Sequence, residues 1–288
     1  MTTSERSGSP SAPSISLQAS KHPGEPGAAP HTIIHVPHSS VVVPDEERAL
    51  MLISDAALED ELLRMTDAST DELFAVDPAI ATPLVFPVSR LVVDVERFGH
   101  ETTEPMEERG MGPVYRLTSR GEELRYLDYD SRIRLIRRFY LPHQYRFASM
   151  VDEALEQHSR CVVIDGHSFA SSPLPHELDQ SPERPEICVG TDDYHTGVDL
   201  RSRALGIFTA AGFQTAVNTP FAGTIVPIKH YRRDPRVKSI MIEINRRCYM
   251  NESTGERLPD FDGFRARFRG ALEELISAAA PPNLEKRE

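Results

Sequence analysis

Short apolar runs ending in polar corners, separated by helix-forming stretches, constrain this chain more than anything else in it. TIIHV (residues 32–36) leads into PHSS, RCVVID (160–165) into GHS, and SIMIEIN (239–245) into a pair of arginines. Runs this short, rich in Val and Ile and bounded by turn residues, read as largely buried strands. PLVF (83–86), LVVDV (91–95) and FQTAVN (213–218) read as further strands. Residues 45–66 favour helix, with acidic residues at the start that suit the positive end of a helix dipole. Their apolar positions Leu50, Ile53, Leu58, Leu62 and Leu63 do not form one stripe, so Ser54 and Asp55 mark a break. Residues 130–160 predict one long helix or two broken near Leu141 and Pro142, and residues 198–212 a helix stopped by Gly212. Phe261, Phe264, Phe268, Leu272, Leu275 and Ile276 recur at helical spacing and predict an amphipathic closing helix. This alternation predicts an α/β fold, with a mixed, mostly parallel central sheet flanked by helices. A site belongs just beyond the C-terminal ends of such strands.

The first 30 residues are rich in Ser, Pro, Gly and Ala and lack the apolar core of a secretory signal. They read as a flexible tail ahead of a single domain over residues 31–280, with a flexible terminus at 281–288. No apolar run approaches the roughly 20 residues that a bilayer crossing needs. A net charge of −12 argues against a nucleic-acid backbone as partner. RIRLIRRFY (132–140) is a basic exception, read as a helix face making salt bridges. The three cysteines, Cys161, Cys188 and Cys248, form neither a zinc-finger spacing nor a disulfide framework, which fits a reducing cytoplasm. Nothing in the sequence fixes the oligomeric state, and a homo-oligomer is compatible with it.

Three strand ends carry groups capable of chemistry: His38 in VPHSS, His167 in IDGHS and Glu243 in MIEIN. A neutral imidazole at a strand end either makes a structural hydrogen bond or ligates a metal while its other nitrogen is oriented by a carboxylate or carbonyl. Asp165, two residues before His167, could be such an orienting group or could stabilise the loop. Glu243 alternates with Ile242 and Ile244, so it points away from the face those isoleucines bury. It is either a carboxylate on a solvated edge strand or paired with an arginine, or a base that activates water beside a metal. Arg90, Asp94 and Arg97 bracket residues 91–95, and Asn245, Arg246 and Arg247 follow Glu243. These arginines either hold structural carboxylates or read an anionic small molecule, since guanidinium matches carboxylate bidentately. There is no P-loop, dinucleotide-binding glycine pattern, GxSxG elbow or HExxH pair, and Ser39, Ser168 and Cys161 lie in no recognisable nucleophile motif.

Seven segments in order, VPHSS, MTDASTDELF, FPVSRLVVDVERF, VIDGHSF, ICVGTDDYHTG, NTPFAGTIVP and MIEINRRCYM, resemble the N-formylglutamate amidohydrolase family between about residues 35 and 249. The resemblance implies a zinc-dependent hydrolase with a fold similar to that of zinc carboxypeptidases. It implies a reaction of N-formyl-L-glutamate with water giving formate and glutamate, as in histidine breakdown. It places metal ligands on His38 and His167 and the catalytic carboxylate on Glu243. For the acidic ligand Asp67 is favoured, with Asp71, Glu46 and Asp94 as alternatives, and the arginine-bearing segment falls on Arg90 to Arg97. The chain departs from the family pattern at Ser40, at TDAST and at VDVER, close to the site, which bears on the substrate more than on the fold.

The chemistry implied is a carbonyl polarised by zinc, with Glu243 moving a proton from water to the leaving nitrogen. Arg90, Arg97, Asn245 and Arg246 are the candidates for binding substrate, which is then a small acidic molecule. The alternatives are a zinc amidase or carboxypeptidase-like hydrolase of another small N-acyl amino acid or peptide, and a non-catalytic protein binding small anions. Of the histidines in HTIIHVPHSS, His31 is expected in solvent, His35 within the strand and His38 at the metal.

Overall fold

The computed structural model describes residues 30–97, 104 and 106–279. The tail, apart from Pro30, and the 281–288 terminus lie outside the described residues, as does part of the Gly- and Pro-rich excursion after Arg97. In chain order the elements are β1 (Thr32–Val36), α1 (Asp45–Arg48), α2 (Asp55–Met65), α3 (Thr70–Leu73), β2 (Thr82–Val85), α4 (Tyr129–Leu135), α5 (Leu141–His158), β3 (Cys161–Phe169), β4 (Ile187–Gly190), α6 (Val198–Ala210), β5 (Thr215–Val217), β6 (Val237–Asn245) and α7 (Phe261–Ala279). One π-helical turn, Ile136–Tyr140, joins α4 to α5.

The strands form one sheet in the order β2-β1-β3-β6-β4-β5. β2, β1, β3 and β6 run parallel; β4 is antiparallel to β6 and β5 parallel to β4. The predicted mixed, mostly parallel sheet is therefore present. Strand alternation sends Ile34, Val36, Val162, Ile164, Ile240, Ile242 and Ile244 to one face, where they pack with α6, α7 and Phe74. Ile33, Val163 and Val237 go to the other face, against Phe147 and Val151 of α5. On that second face, further along the strands, the same alternation places His35, Asp165, His167 and Glu243. The register sets His167 opposite Glu243, and His35 opposite Asp165. The polar site thus occupies the end of a sheet face whose beginning is sealed by α5.

Several local readings hold. The break in residues 45–66 separates α1 from α2, and Ser54 caps α2 by accepting a hydrogen bond from Ala57 N. Gly212, at φ +84°, follows α6 in a conformation that a side chain would strain. The basic face of residues 132–140 makes ion pairs, Arg132 with Glu107, Arg134 with Glu47, and Arg138 with Glu46 and Glu47.

Others are corrected. LVVDV is not a strand: Leu91, Val92, Val93 and Val95 are fully buried in a separate cluster with Phe86, Met111, Tyr115 and Leu124. The Leu91 and Val92 carbonyls accept from the buried Arg125 guanidinium and Asp94 N donates to Pro113 O, so this backbone is satisfied without a sheet. β4 was not anticipated, because ICVG is short and sits directly behind a Pro-rich loop. His31 is partly buried with its ring edge-on to His158, and burial, helped by nearby Arg160, pushes its pKa down to about 4.

Candidate active site

Two loops and two strands deliver the central residues. β1 ends at Val36, and the Pro-His turn behind it brings His38 over the sheet. Asp67 follows α2, and its backbone N donates to His38 O at 3.0 Å, which ties the two loops together. His167 and Glu243 stand side by side on β3 and β6. Gly166, between Asp165 and His167, faces the other way. A Cβ there would lie 2.8 Å from the Phe74 ring, so β3 can sit this close to α3 only with glycine at that position.

His38, Asp67 and His167 each offer a ligand atom, and these atoms all lie within 4.8 Å of one another. Asp67 Oδ2 is 3.0 Å from His167 Nδ1 and 3.6 Å from His38 Nδ1. The outward nitrogens are held by other carboxylates: His38 Nε2 by Asp94 at 2.8 Å, and His167 Nε2 by Glu96 at 3.0 Å and Asp165 at 3.2 Å. His38 Nδ1 is buried with no hydrogen-bond partner. An orphaned buried nitrogen is costly unless something binds it. Two imidazoles and a carboxylate, the imidazoles backed by carboxylates, form the donor set of a three-ligand catalytic zinc site. The residues present fit a zinc ion.

A second group, His35, Glu96 and Asp165, also brings ligand atoms within 4.8 Å. Its histidine is already satisfied on both sides, Nδ1 by Asp165 at 2.9 Å and Nε2 by His143 at 2.9 Å, and its ring stacks on Phe147. His35 holds Asp165, which in turn meets His167, so this group reads as a brace for the first.

The electrostatics follow from burial and crowding. Burial opposes ionisation of Asp67, but the hydrogen bond from His167 and the nearby His38 imidazole outweigh it and hold the carboxyl far below the usual range. Asp94 is likewise held well below its ordinary value against burial, by His38 and by Arg90, which donates to it at 2.8 Å. Tyr115 adds a hydroxyl to the same carboxylate at 2.5 Å. Glu243 behaves oppositely: burial, reinforced by the carboxylates of Asp67, Glu96 and Asp165, pushes it up to about 8 against the pull of His167. Its Oε2 has no hydrogen-bond partner. A carboxylate that is buried, unpartnered and easily protonated can take up and return a proton near neutral pH.

The family model for N-formylglutamate amidohydrolase matches residues 31–250. The chain belongs to this family. Membership in the N-formylglutamate amidohydrolases supports amidohydrolase activity. The structure is similar to that of N-formylglutamate amidohydrolase from Ralstonia eutropha JMP134, with a TM-score of 0.74 and 21% identity over 88% of this chain and 94% of that one. It is also similar to a gene product of Agrobacterium tumefaciens, with a TM-score of 0.61 and 21% identity over 88% and 91% of the two chains. At that identity the likeness speaks for the fold. No curated protein matches the sequence significantly.

Within this family member, the residues singled out from sequence fall as follows. His38, Asp67, His167, Glu243, Arg90, Arg97 and Arg246 all line one cavity of about 210 Å³. Of the alternative acidic ligands, Asp71 and Glu46 are exposed, and Asp94 lies behind His38 on its far nitrogen. Asn245 is not on the cavity wall. It is fully buried, donating to Pro185 O and accepting from Arg247 N, so its expected contact with substrate is replaced by a role in the turn after β6. Arg246 is bound to Asp67 at 3.1 Å and to the Arg64 carbonyl, and Arg90 to Asp94 and Tyr115. Arg97 is held less firmly, 3.5 Å from Asp94, with a buried Nε that makes no hydrogen bond. Sequence reasoning left Asp165 and His35 undecided and missed Glu96 and His143 as parts of the same cluster. For Asp165 a signal existed, since strand period places it on the same face as His167.

Proposed function

We propose that the protein is a zinc-dependent amidohydrolase that cleaves the amide of N-formyl-L-glutamate or a closely related N-formyl or N-acyl amino acid. The observation that carries the reading is the unpartnered His38 Nδ1 facing Asp67 and His167, with the protonatable Glu243 in the same cavity. Family membership supports the amide as the bond cleaved.

His38, Asp67 and His167 would hold the zinc, which when bound supplies a Lewis acid to polarise the amide carbonyl and acidify water. Asp94 and Asp165 keep the two imidazoles turned so that their Nδ1 atoms face the cavity. Glu243 Oε2 accepts the proton of the attacking water. Its raised affinity for protons keeps that proton on hand for the departing amine nitrogen, so the C–N bond breaks with a neutral leaving group. Arg97, whose Nε is unsatisfied, anchors a substrate carboxylate, and Arg90 and Arg246 add positive charge from their fixed positions. The products of the formyl substrate are formate and glutamate.

The test is formate release from N-formyl-L-glutamate by full-length protein whose metal has been quantified, chelated away and restored. Release should stop on chelation and return with one equivalent of zinc. Formate release that chelation leaves untouched would remove the metal from the reading.

A further inference from the structure

The cavity around Glu243 has a larger neighbour, of about 500 Å³, between the first turns of α5, residues 95–97 and the loop 225–231. Glu96 and Arg97 line both spaces, so the two adjoin across these residues. The walls of the second are mostly hydrocarbon, from Val95, Leu141, Ala148, Ile225, Val226 and Ile228. Its polar groups are largely engaged elsewhere. Gln144 donates to Val95 O at 2.6 Å, the Tyr140 hydroxyl to Arg97 O at 2.9 Å, and Lys229 is paired with Asp152 at 2.6 Å. The boundary between the cavities carries both signs of charge, the Arg97 guanidinium and the Glu96 carboxylate, which lies 3.0 Å from His167 Nε2 and 3.7 Å from His35 Nδ1.

A formyl group, one carbon with no substituent, makes no use of such a space. The carboxylates of an amino acid are disfavoured within it, because they would be buried among hydrocarbon. They are favoured in the first cavity, among Arg90, Arg97 and Arg246. What suits the second cavity is an apolar group attached to the carbonyl carbon.

We propose that this cavity is an acyl subsite, and that the substrates include N-acyl amino acids whose acyl group carries a phenyl ring or a hydrocarbon chain of similar size. The proposal rests on the hydrolytic reading above and extends it. The bond change is the same: the amide C–N bond breaks, the water oxygen joins the acyl carbon, one water proton passes to the amine nitrogen and the other is lost as the acid ionises to a carboxylate.

The probes are N-phenylacetyl-L-glutamate and N-formyl-L-glutamate, with binding of each to the zinc-loaded Glu243→Gln protein measured by calorimetry and turnover measured with wild type. Burial of the ring should make the phenylacetyl compound bind about tenfold tighter or more. Adding Ala148→Phe, which fills the cavity, should abolish that preference. Equal or weaker binding of the phenylacetyl compound in the Glu243→Gln protein overturns the subsite without recourse to the Ala148 variant. A preference that survives Ala148→Phe in a folded protein overturns its location. If the preference and its loss are both seen but wild type hydrolyses neither compound, the subsite stands and the hydrolytic reading falls. Hydrolysis of the formyl compound without the binding preference gives the reverse.

Discussion

At Glu243 the account depends on one carboxylate being buried and idle until substrate arrives. Glu243→Gln keeps the shape and removes the base, so turnover should fall about 10²–10⁴-fold while zinc content is unchanged. His38→Ala and His167→Ala should instead lose stoichiometric zinc, read by metal analysis after dialysis. Asp94→Asn leaves the ligands in place but weakens the hold on His38 Nε2, and should lower zinc affinity about 10–100-fold in competition with a chelator. Much of this site was legible residue by residue. Pro-His-Ser and Gly-His-Ser corners behind apolar runs, and a Glu between isoleucines, mark strand ends that turn polar groups to one side. Asn245 was misread because strand period puts it on the same side as Glu243, whereas the turn that follows draws its amide to Pro185. Asp67 was favoured as the acidic ligand only through the family resemblance, since it reaches His38 through the folding of α2 against the end of β1, which no local pattern shows.

At the level of elements, β3 is the one that other parts lean on. It is buried along its whole length, carries Asp165 and His167 on one face, and meets Phe74 at Gly166 on the other. Gly166→Ala forces a methyl group into that ring and should cost about 1–3 kcal/mol in chemical denaturation. A second consequence should be weaker zinc binding, because the shift moves His167. Elements with a regular hydrophobic period were readable, and α7 and the three central strands lie where the sequence puts them. LVVDV was not, although it is as apolar as any strand. Two of its carbonyls are satisfied by Arg125, 34 and 33 residues further on, and no local pattern announces a side chain that substitutes for a neighbouring strand. β4 was missed for a related reason: a four-residue strand is fixed by its partner β6 rather than by its own composition.

Over the whole molecule, the division of the sheet's second face explains why charge can gather in an otherwise apolar interior. α5 seals one end with Phe147 and Val151, and the other end holds His35, His143, Asp165 and His167 braced against one another, with Glu243 beside His167. This arrangement has a pH signature. Burial, aided by His35 and His38, holds the His143 pKa well below its ordinary value of 6.5, so the folded protein keeps this ring neutral. The unfolded chain takes up that proton below about pH 6.5, so the His143 contribution to stability should fall on acidification by up to about 1.4 kcal/mol per unit, while the raised pKa of Glu243 opposes it over the same range. The depressed carboxyls of Asp67 and Asp94 act lower, since their contribution is lost only as pH falls past about 4, where the unfolded carboxylates protonate. Denaturation midpoints of the metal-free protein across this range check both windows, the upper one as the stability of wild type relative to His143→Gln, which should fall below about pH 6.5. Among the described residues no helix is long and apolar enough to cross a membrane.

The central claim is that His38, Asp67 and His167 hold a zinc ion beside which Glu243 serves as the base for amide hydrolysis. Its most direct test is the rate of formate release from N-formyl-L-glutamate by wild type and Glu243→Gln, with bound zinc quantified in the same samples. The account predicts one zinc in both proteins, and a rate about 10²–10⁴-fold lower in the variant. Equal rates at equal zinc content would contradict it.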